Sequence, residues 1–414
     1  MNPALDESFD FPATRAEALT TLEAFLPRCG AYAAKRNQVE PGHRNVSQLS
    51  PALRTRVLLE REVCAMVLKR YPDSRVEKFI QEVWWRLYWK SWLEMRPGVW
   101  TDYRDRLAQM PENLRERARK VGSGGSGVAI MDHFACELAE TGYLHNHARM
   151  WFASFWVHAE GLPWELGADF FMQHLLDGDA ASNTLSWRWV AGLHTPGKTY
   201  LVSRANIERC CHPDLLSGNA EGLERLEEVT ARLPDTEALA NPPAEIPPGA
   251  TLDPADLTGR WGLWIHDDDL SPERSELAPL RPAAVRAWIP GTRSNEEKSS
   301  DQIISHRSRA IADAVERGGA HFEVEADHST AGDPGEALAQ WAEEKDLGTV
   351  VALRPCVGPN REALEEVRRQ LSAVGRRLVL VRRSEDEAVM RFATGGFFGF
   401  WKKTAKLRQP IEDA

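Results

Sequence analysis

The order of apolar and polar positions divides the chain into two regimes. From about residue 15 to 235 the spacing is helical. Ser50-Pro51 opens a helix whose apolar positions Leu53, Val57, Val63, Val67 and Leu68 recur with a period near 3.6. Val76 to Leu93 predicts another, with Phe79, Val83, Trp84, Leu87 and Trp92 on its apolar faces, and Asp132 to Thr141 a third. Asn146 to Glu160 is nearly free of charge and predicts a buried helix. Between Leu233 and Gly259 the pattern stops: Pro234, Pro242, Pro243, Pro247, Pro248 and Pro254 mark a semi-rigid linker. Beyond it the runs Trp261–Ile265, Ala284–Ile289, Val350–Leu353 and Leu378–Val381 predict strands, with a weaker one at His321–Val324. Helices are expected at Ser305–Arg317, Gly335–Glu344 and Arg361–Val374. Such alternation predicts a doubly wound parallel sheet. The expected organisation is therefore an all-helical domain (1–232), a Pro-rich linker (233–259) and a Rossmann-like α/β domain (260–414).

Composition narrows the class. At 43% hydrophobic and 27% charged residues over 414 positions, the chain has the balance of a globular protein with a sizeable core. No run approaches the length of a membrane helix. Met1 to Leu19 carries Asp6, Glu7 and Asp10 without an apolar centre, unlike a secretory signal, so a cytoplasmic protein without membrane contact is expected. None of the six cysteines forms a C-x-x-C pair, which predicts structural thiols and no metal site. The net charge is −10 and neither half is basic, which argues against a strong sequence-independent grip on nucleic acid. The density of Arg54, Arg56, Arg61, Lys69, Arg70, Arg75 and Lys78 reads either as a local basic patch or as a solvated helical face.

Tryptophan is the outlier. Ten of the 15 lie between Trp84 and Trp189, a concentration that suits a core, a planar cofactor or a route for electrons. Gly122-Ser123-Gly124-Gly125-Ser126-Gly127 has the spacing of a dinucleotide loop but follows a charged helical stretch, so a flexible turn is expected there. His145 and His147, two apart on a helix, do not converge on a metal. Two stretches are sharper. Arg44 to Pro51 offers hydroxyls and backbone N–H groups at a helix start, suited to a pyrophosphate or to plain capping. Asp177-Gly178-Asp179 to Asn183 sets two carboxylates and an amide on small-residue backbone before Trp187-Arg188-Trp189. That turn suits ribose hydroxyls or ring N–H groups, or else a simple N-cap.

In order and spacing, these stretches resemble the helical FAD-binding domain of the photolyase and cryptochrome family over roughly residues 30–210. Val46–Leu49 with Ser50-Pro51 resembles its T-S-x-L-S-P loop, and Phe79 to Arg86 its W-x-x-E-L-x-W-R helix. Ser126 to Asp132 is similar to T-G-x-P-x-V-D. Leu144 to Met150 is similar to H-N-R-x-R-M, and Asp177 to Trp189 to D-G-D-x-A-x-N with W-Q-W. The resemblance implies FAD held by Tyr32, Ser47, Gln48, Leu49, Ser50, Phe79, Glu82, Arg86, Asn146, Arg149, Asp177, Asp179 and Asn183, with Asn183 facing the flavin N5. It implies an electron relay of Trp187, Trp164 and Trp100. Glu82, Trp85, Met150 and Trp189 fall at positions that contact a flipped pyrimidine dimer, and the resemblance counts Asn183 with them among the catalytic residues.

The implied function is a deoxyribodipyrimidine photolyase acting on damaged single- or double-stranded DNA by electron transfer from photoexcited reduced FAD. The alternatives are a cryptochrome-type blue-light receptor with an unknown protein partner, or a flavoprotein with neither role. His147 replaces an arginine of the repair enzymes, Phe79 a tryptophan, and Arg56-Val57-Leu58-Leu59 the G-x-x-S after the phosphate loop. Family members begin with the α/β domain, whereas here Trp261 to Leu270 and Phe397 to Lys403 resemble the start and end of that domain at the C-terminal side. The resemblance thus implies a circular permutation, with an antenna chromophore, if any, of unknown identity.

Overall fold

The computed structural model describes residues 11–195, 198–232, 241–249, 257, 259–288, 300–329 and 332–408. Among the described residues, thirteen α-helices precede the sheet: α1 (Arg15–Cys29), α2 (Tyr32–Lys35), α3 (Ser50–Arg54), α4 (Glu60–Arg70), α5 (Asp73–Glu94), α6 (Gly98–Ala108), α7 (Glu112–Gly122), α8 (Ala129–Thr141), α9 (Asn146–Ser154), α10 (Trp164–His174), α11 (Ala180–Val190), α12 (Arg204–Cys210) and α13 (Pro213–Ser217). Helix α9 runs on into a wider π turn, Phe155–Ala159. Thr14 and Glu17 form a reciprocal capping box at the start of α1. The longest of these helices, α5, is apolar on most of its circumference. Val76, Phe79, Ile80, Val83, Trp84, Leu87, Tyr88, Trp89, Trp92 and Leu93 are all buried. Each such side chain contributes about 1.5–3 kcal/mol of burial free energy, which makes α5 the spine of the helical segment.

The helix expected from Ser50 onward is broken. Arg56 takes a left-handed backbone, φ 56°, and residues 55–59 turn the chain before α4 begins. An apolar period alone carried no sign of that interruption.

The α/β segment holds β1 (Trp261–Ile265), β2 (Ala284–Trp288), β3 (Ala326–Ser329), β4 (Thr349–Leu353) and β5 (Arg377–Val381). They form one parallel sheet in the order β3-β2-β1-β4-β5. Helices α14 (Asp301–Phe322), α15 (Pro334–Glu344) and α16 (Pro359–Ala373) connect the strands, and α17 (Ser384–Met390) and α18 (Phe397–Lys403) follow. The architecture is thus the expected helical plus doubly wound α/β arrangement. The weak strand expected at His321–Val324 is not formed. Helix α14 continues to Phe322, packing Gly318 over Ile265 and Val285, and β3 begins only at Ala326. Of the linker, residues 233–240, 250–256 and 258 lie outside the described residues.

The sheet has two apolar faces. Trp264, Val350 and Ala352 meet Trp341, Leu364 and Val367 of α15 and α16. Leu263, Ile265, Val285 and Val351 join the large core that runs through the helical segment. Charge crosses the same boundary. Arg54 and Arg56, expected on a basic patch or solvated face, are both buried and face the C-terminal segment. Arg56 pairs with Asp386 (2.6 Å) and Asp269 (3.2 Å), and Arg383 clamps Asp269 at 2.6 and 2.7 Å.

Candidate functional site

The two turns singled out in the sequence are brought together. In the first, Gln48 takes φ 57° and its side-chain amide donates to the Gly42 carbonyl at 2.9 Å, which curls the chain ahead of α3. Pro51 sits in the first turn of α3, where a missing N–H costs nothing. In the second, the Gly178 N–H donates to the Leu175 carbonyl at 3.0 Å, and Asp179 caps α11 by accepting the Ser182 N–H at 2.7 Å. The contact between the turns is Asp177. It accepts both guanidinium nitrogens of Arg149, at 2.9 and 3.0 Å, and a hydrogen bond from Ser50. Burial pushes the Asp177 carboxyl up, but Arg149 and Ser50 outweigh it and hold the group below the usual carboxylate range.

Helix α5 supplies the opposite charge. Glu82, Arg86 and Lys90 recur at intervals of four and so share one ridge. Lys90 Nζ lies 3.7 Å and Arg86 Nη2 4.0 Å from the Asp179 carboxylate. Against the opposing cost of burial, these cations and the Ser182 N–H hold Asp179 at about 2. Arg86, Lys90 and Arg149 outnumber Asp177 and Asp179, so the turns face a local excess of positive charge. Arg86 Nε and Nη2, Ser182 Oγ, His145 Nε2 and Trp187 Nε1 are buried polar atoms with no hydrogen-bond partner in the chain. Natural proteins seldom leave such atoms without a partner, and two of the residues lie at the second turn: Arg86 faces Asp179, and Ser182 is in the first turn of α11. An anionic, hydrogen-bonding molecule with several polar edges answers both features.

The remaining expected site residues are distributed as follows. Asn183 is buried, its Nδ2 donating to the Ala168 carbonyl of α10 at 2.8 Å. Ser47 and Met150 are half-buried, Leu49 is fully buried, and Asn146 opens α9 in an exposed position. Phe79 packs in the core against Phe25 and the edge of Tyr32, at 5.2 and 5.3 Å. Glu82 is ion-paired with Arg36 at 2.5 Å, and burial pushes its carboxyl up. Trp85 lies flat against Phe397 of α18, and Trp189 stacks on Tyr200 at 5.9 Å. Both rings expected to flank a flipped base therefore already carry an aromatic neighbour from the chain itself. His147 bonds the Asn37 carbonyl at 2.7 Å.

The tryptophans of the expected relay follow α11, α10 and α6. The Trp187 ring rests on Gly167, where a methyl group would come within 2.2 Å of it, so glycine is required. Trp164 lies one turn earlier on α10. Trp164 does not reach Trp100 directly: Tyr103 stands between them, its ring 5.4 Å from Trp164 and 5.3 Å from Trp100. The sequence reading omitted Tyr103, although its spacing from Trp100 puts both on one face of α6.

Open α/β sheets bind ligands beyond the strand ends where the order reverses, here between β1 and β4. That place is taken by the helical segment. Arg54 donates to the Asp267 carbonyl and carboxylate, each at 2.7 Å, and to the Gly178 carbonyl at 3.0 Å. Asn360 holds the other Asp267 oxygen at 2.8 Å. The strand ends thereby brace the Asp177–Asp179 turn.

The family model described as the FAD binding domain of DNA photolyase matches residues 79–217. A deoxyribodipyrimidine photo-lyase of Streptomyces griseus is 39% identical over 120 residues, 29% of this chain and 26% of that protein. One from Synechococcus is 32% identical over 196 residues, 45% of this chain and 40% of its own length. A solved cryptochrome from Synechocystis aligns with a TM-score of 0.44 and 23% identity, over 53% of this chain and 46% of that one. The chain thus spans less than half the length of these curated relatives. FAD, whose pyrophosphate and polar ring edges match the positive, unsatisfied cradle described above, is the cofactor of the helical segment. Residues 79–217 thus match the FAD-binding domain of the DNA photolyase family.

Proposed function

We propose that the protein is a light-driven FAD enzyme of the DNA photolyase type, acting on cyclobutane pyrimidine dimers. When bound, FAD supplies light absorption and one-electron chemistry. The chain's residues bind and orient it. Ser47 to Ser50 would hold the phosphates, Asp177 and Asp179 the ribityl, ribose or ring groups, and Arg86, Asn146 and Arg149 would line the remainder. Asn183, fixed by the Ala168 carbonyl, would present its amide to the flavin N5.

The observation that carries the repair reading is Glu82. Its side chain is partly exposed beside Arg36 and set one turn from Arg86 on the ridge that faces the cofactor turns. A carboxyl in that position can hydrogen-bond a base edge, with Arg36 beside it to take a phosphate. The curated relatives named above are photo-lyases, which supports the same reading. The test is illumination of the FAD-loaded protein with single- and double-stranded oligonucleotides containing a defined dimer. Return of the pyrimidine absorbance is expected.

A second reading, a cryptochrome-type photoreceptor, is favoured by Phe397 on Trp85. If the flavin photoreduces while dimers persist, this reading replaces the first. We further infer that the C-terminal α/β segment is the family's antenna-type domain in permuted order, supported by its parallel 3-2-1-4-5 sheet.

A further inference from the structure

Trp100 is buried at 4% exposure, and its indole Nε1 donates to Glu362 Oε1 at 2.6 Å. Glu362 belongs to the first turn of α16, in the other segment of the chain, and is itself exposed. A carboxylate thus bridges a buried indole N–H and water. The positions of two guanidinium groups sharpen the point. Arg188 lies 5.9 Å from the Trp164 ring and Arg104 5.9 Å from the Trp100 ring, so a positive hole on either tryptophan is opposed by Coulomb repulsion. Deprotonation relieves that repulsion, and an oxidised indole is a far stronger acid than the resting one.

We infer that Glu362 is the proton acceptor that ends the oxidation route through Trp164, Tyr103 and Trp100. The inference rests on the relay reading of these residues. One electron leaves Trp100 along Tyr103 and Trp164 toward the photoexcited cofactor. The Nε1 proton moves along the existing hydrogen bond to Glu362 Oε1. Trp100 becomes a neutral radical and Glu362 a neutral acid that exchanges with water. Return of the electron reverses both transfers, so no further reactant is needed.

The test is flash spectroscopy of the FAD-loaded protein and of two variants. In the parent protein the tryptophan radical should appear in its neutral form. Its formation should slow in D2O, and a carboxylic-acid C=O band should rise in the infrared difference spectrum. Glu362→Gln keeps an acceptor oxygen for the indole N–H, and with it the docking of α16, but takes no proton. It should leave the radical in its cationic form, shorten its lifetime several-fold and remove the infrared band. The proposal is overturned if Glu362→Gln matches the parent, or if the parent shows neither isotope effect nor carboxyl band. Trp100→Phe tests the relay reading separately: an unchanged long-lived tryptophan radical in that variant rejects Trp100 as the terminus, whatever Glu362 does.

Discussion

Phe397 lies flat on Trp85, with ring centroids 3.7 Å apart and planes 10° from parallel. The contact is the centre of a larger seal. Phe400 and Trp401 of α18 pack on Trp84 at 6.1 and 6.4 Å, and the Tyr88 hydroxyl donates to the Gly395 carbonyl at 2.8 Å. Arg408 covers Trp401 at 3.5 Å. A C-terminal aromatic helix therefore closes the flank of α5 that carries one of the proposed base platforms.

Phe397→Ala removes a side chain that is only 3% exposed, and truncations of that kind cost about 3–5 kcal/mol. Urea unfolding should show a loss of that order. If Trp85 is a base platform, the variant should also bind dimer-containing DNA more tightly than the parent. Equal or weaker binding removes Trp85 from that role.

Arg56→Gly sets two effects against each other. Glycine relieves the left-handed backbone strain, about 1–2 kcal/mol. The loss of the guanidinium leaves Asp386 without its bidentate partner, and breaking a buried pair costs about 3–5 kcal/mol. The second effect is larger, so the variant should unfold at lower denaturant concentration. A more stable variant would mean that the ion pairs across the boundary contribute little.

His145 makes stability depend on pH. Its Nδ1 accepts the His147 N–H at 3.1 Å as the cap of α9, which requires a neutral ring. Burial lowers its value to about 3, with His43, His147 and Arg149 adding repulsion. Because the folded value lies below the unfolded one, near 6.5, the unfolded chain binds more protons in between. Stability should therefore be full above about pH 6.5 and fall as the pH drops toward 3. His145→Asn keeps a capping acceptor without a titrating ring, and its stability curve should be flatter across that window. A curve parallel to the parent's would assign the dependence to other groups.

Asp179→Asn retains the cap on α11, since asparagine caps as well as aspartate. It leaves Lys90 and Arg86 without the carboxylate they share. The purified variant should carry less flavin per chain by absorbance, while far-ultraviolet circular dichroism stays unchanged. Full flavin content would show that Asp179 contributes only to capping.

Much of this was decided locally. The strands at Trp261 and Leu378, the long α5 and the two polar turns follow from residue order, because apolar period and turn chemistry act over a few residues. The order of motifs likewise grouped Asp177, Asp179, Arg86 and Arg149, which the structure pairs as Arg149 with Asp177 and Arg86 with Asp179. What only the tertiary structure decided depends on groups far apart in the chain. Arg54 and Arg56 are buried between the helical and α/β segments because Asp267, Asp269 and Asp386 meet them there. Tyr103 joins Trp164 to Trp100 because α6 and α10 pack side by side. Phe397 on Trp85 and Glu362 on Trp100 each join residues more than 250 positions apart. No local pattern encodes such pairs, since they exist only once the sheet has docked on the helices.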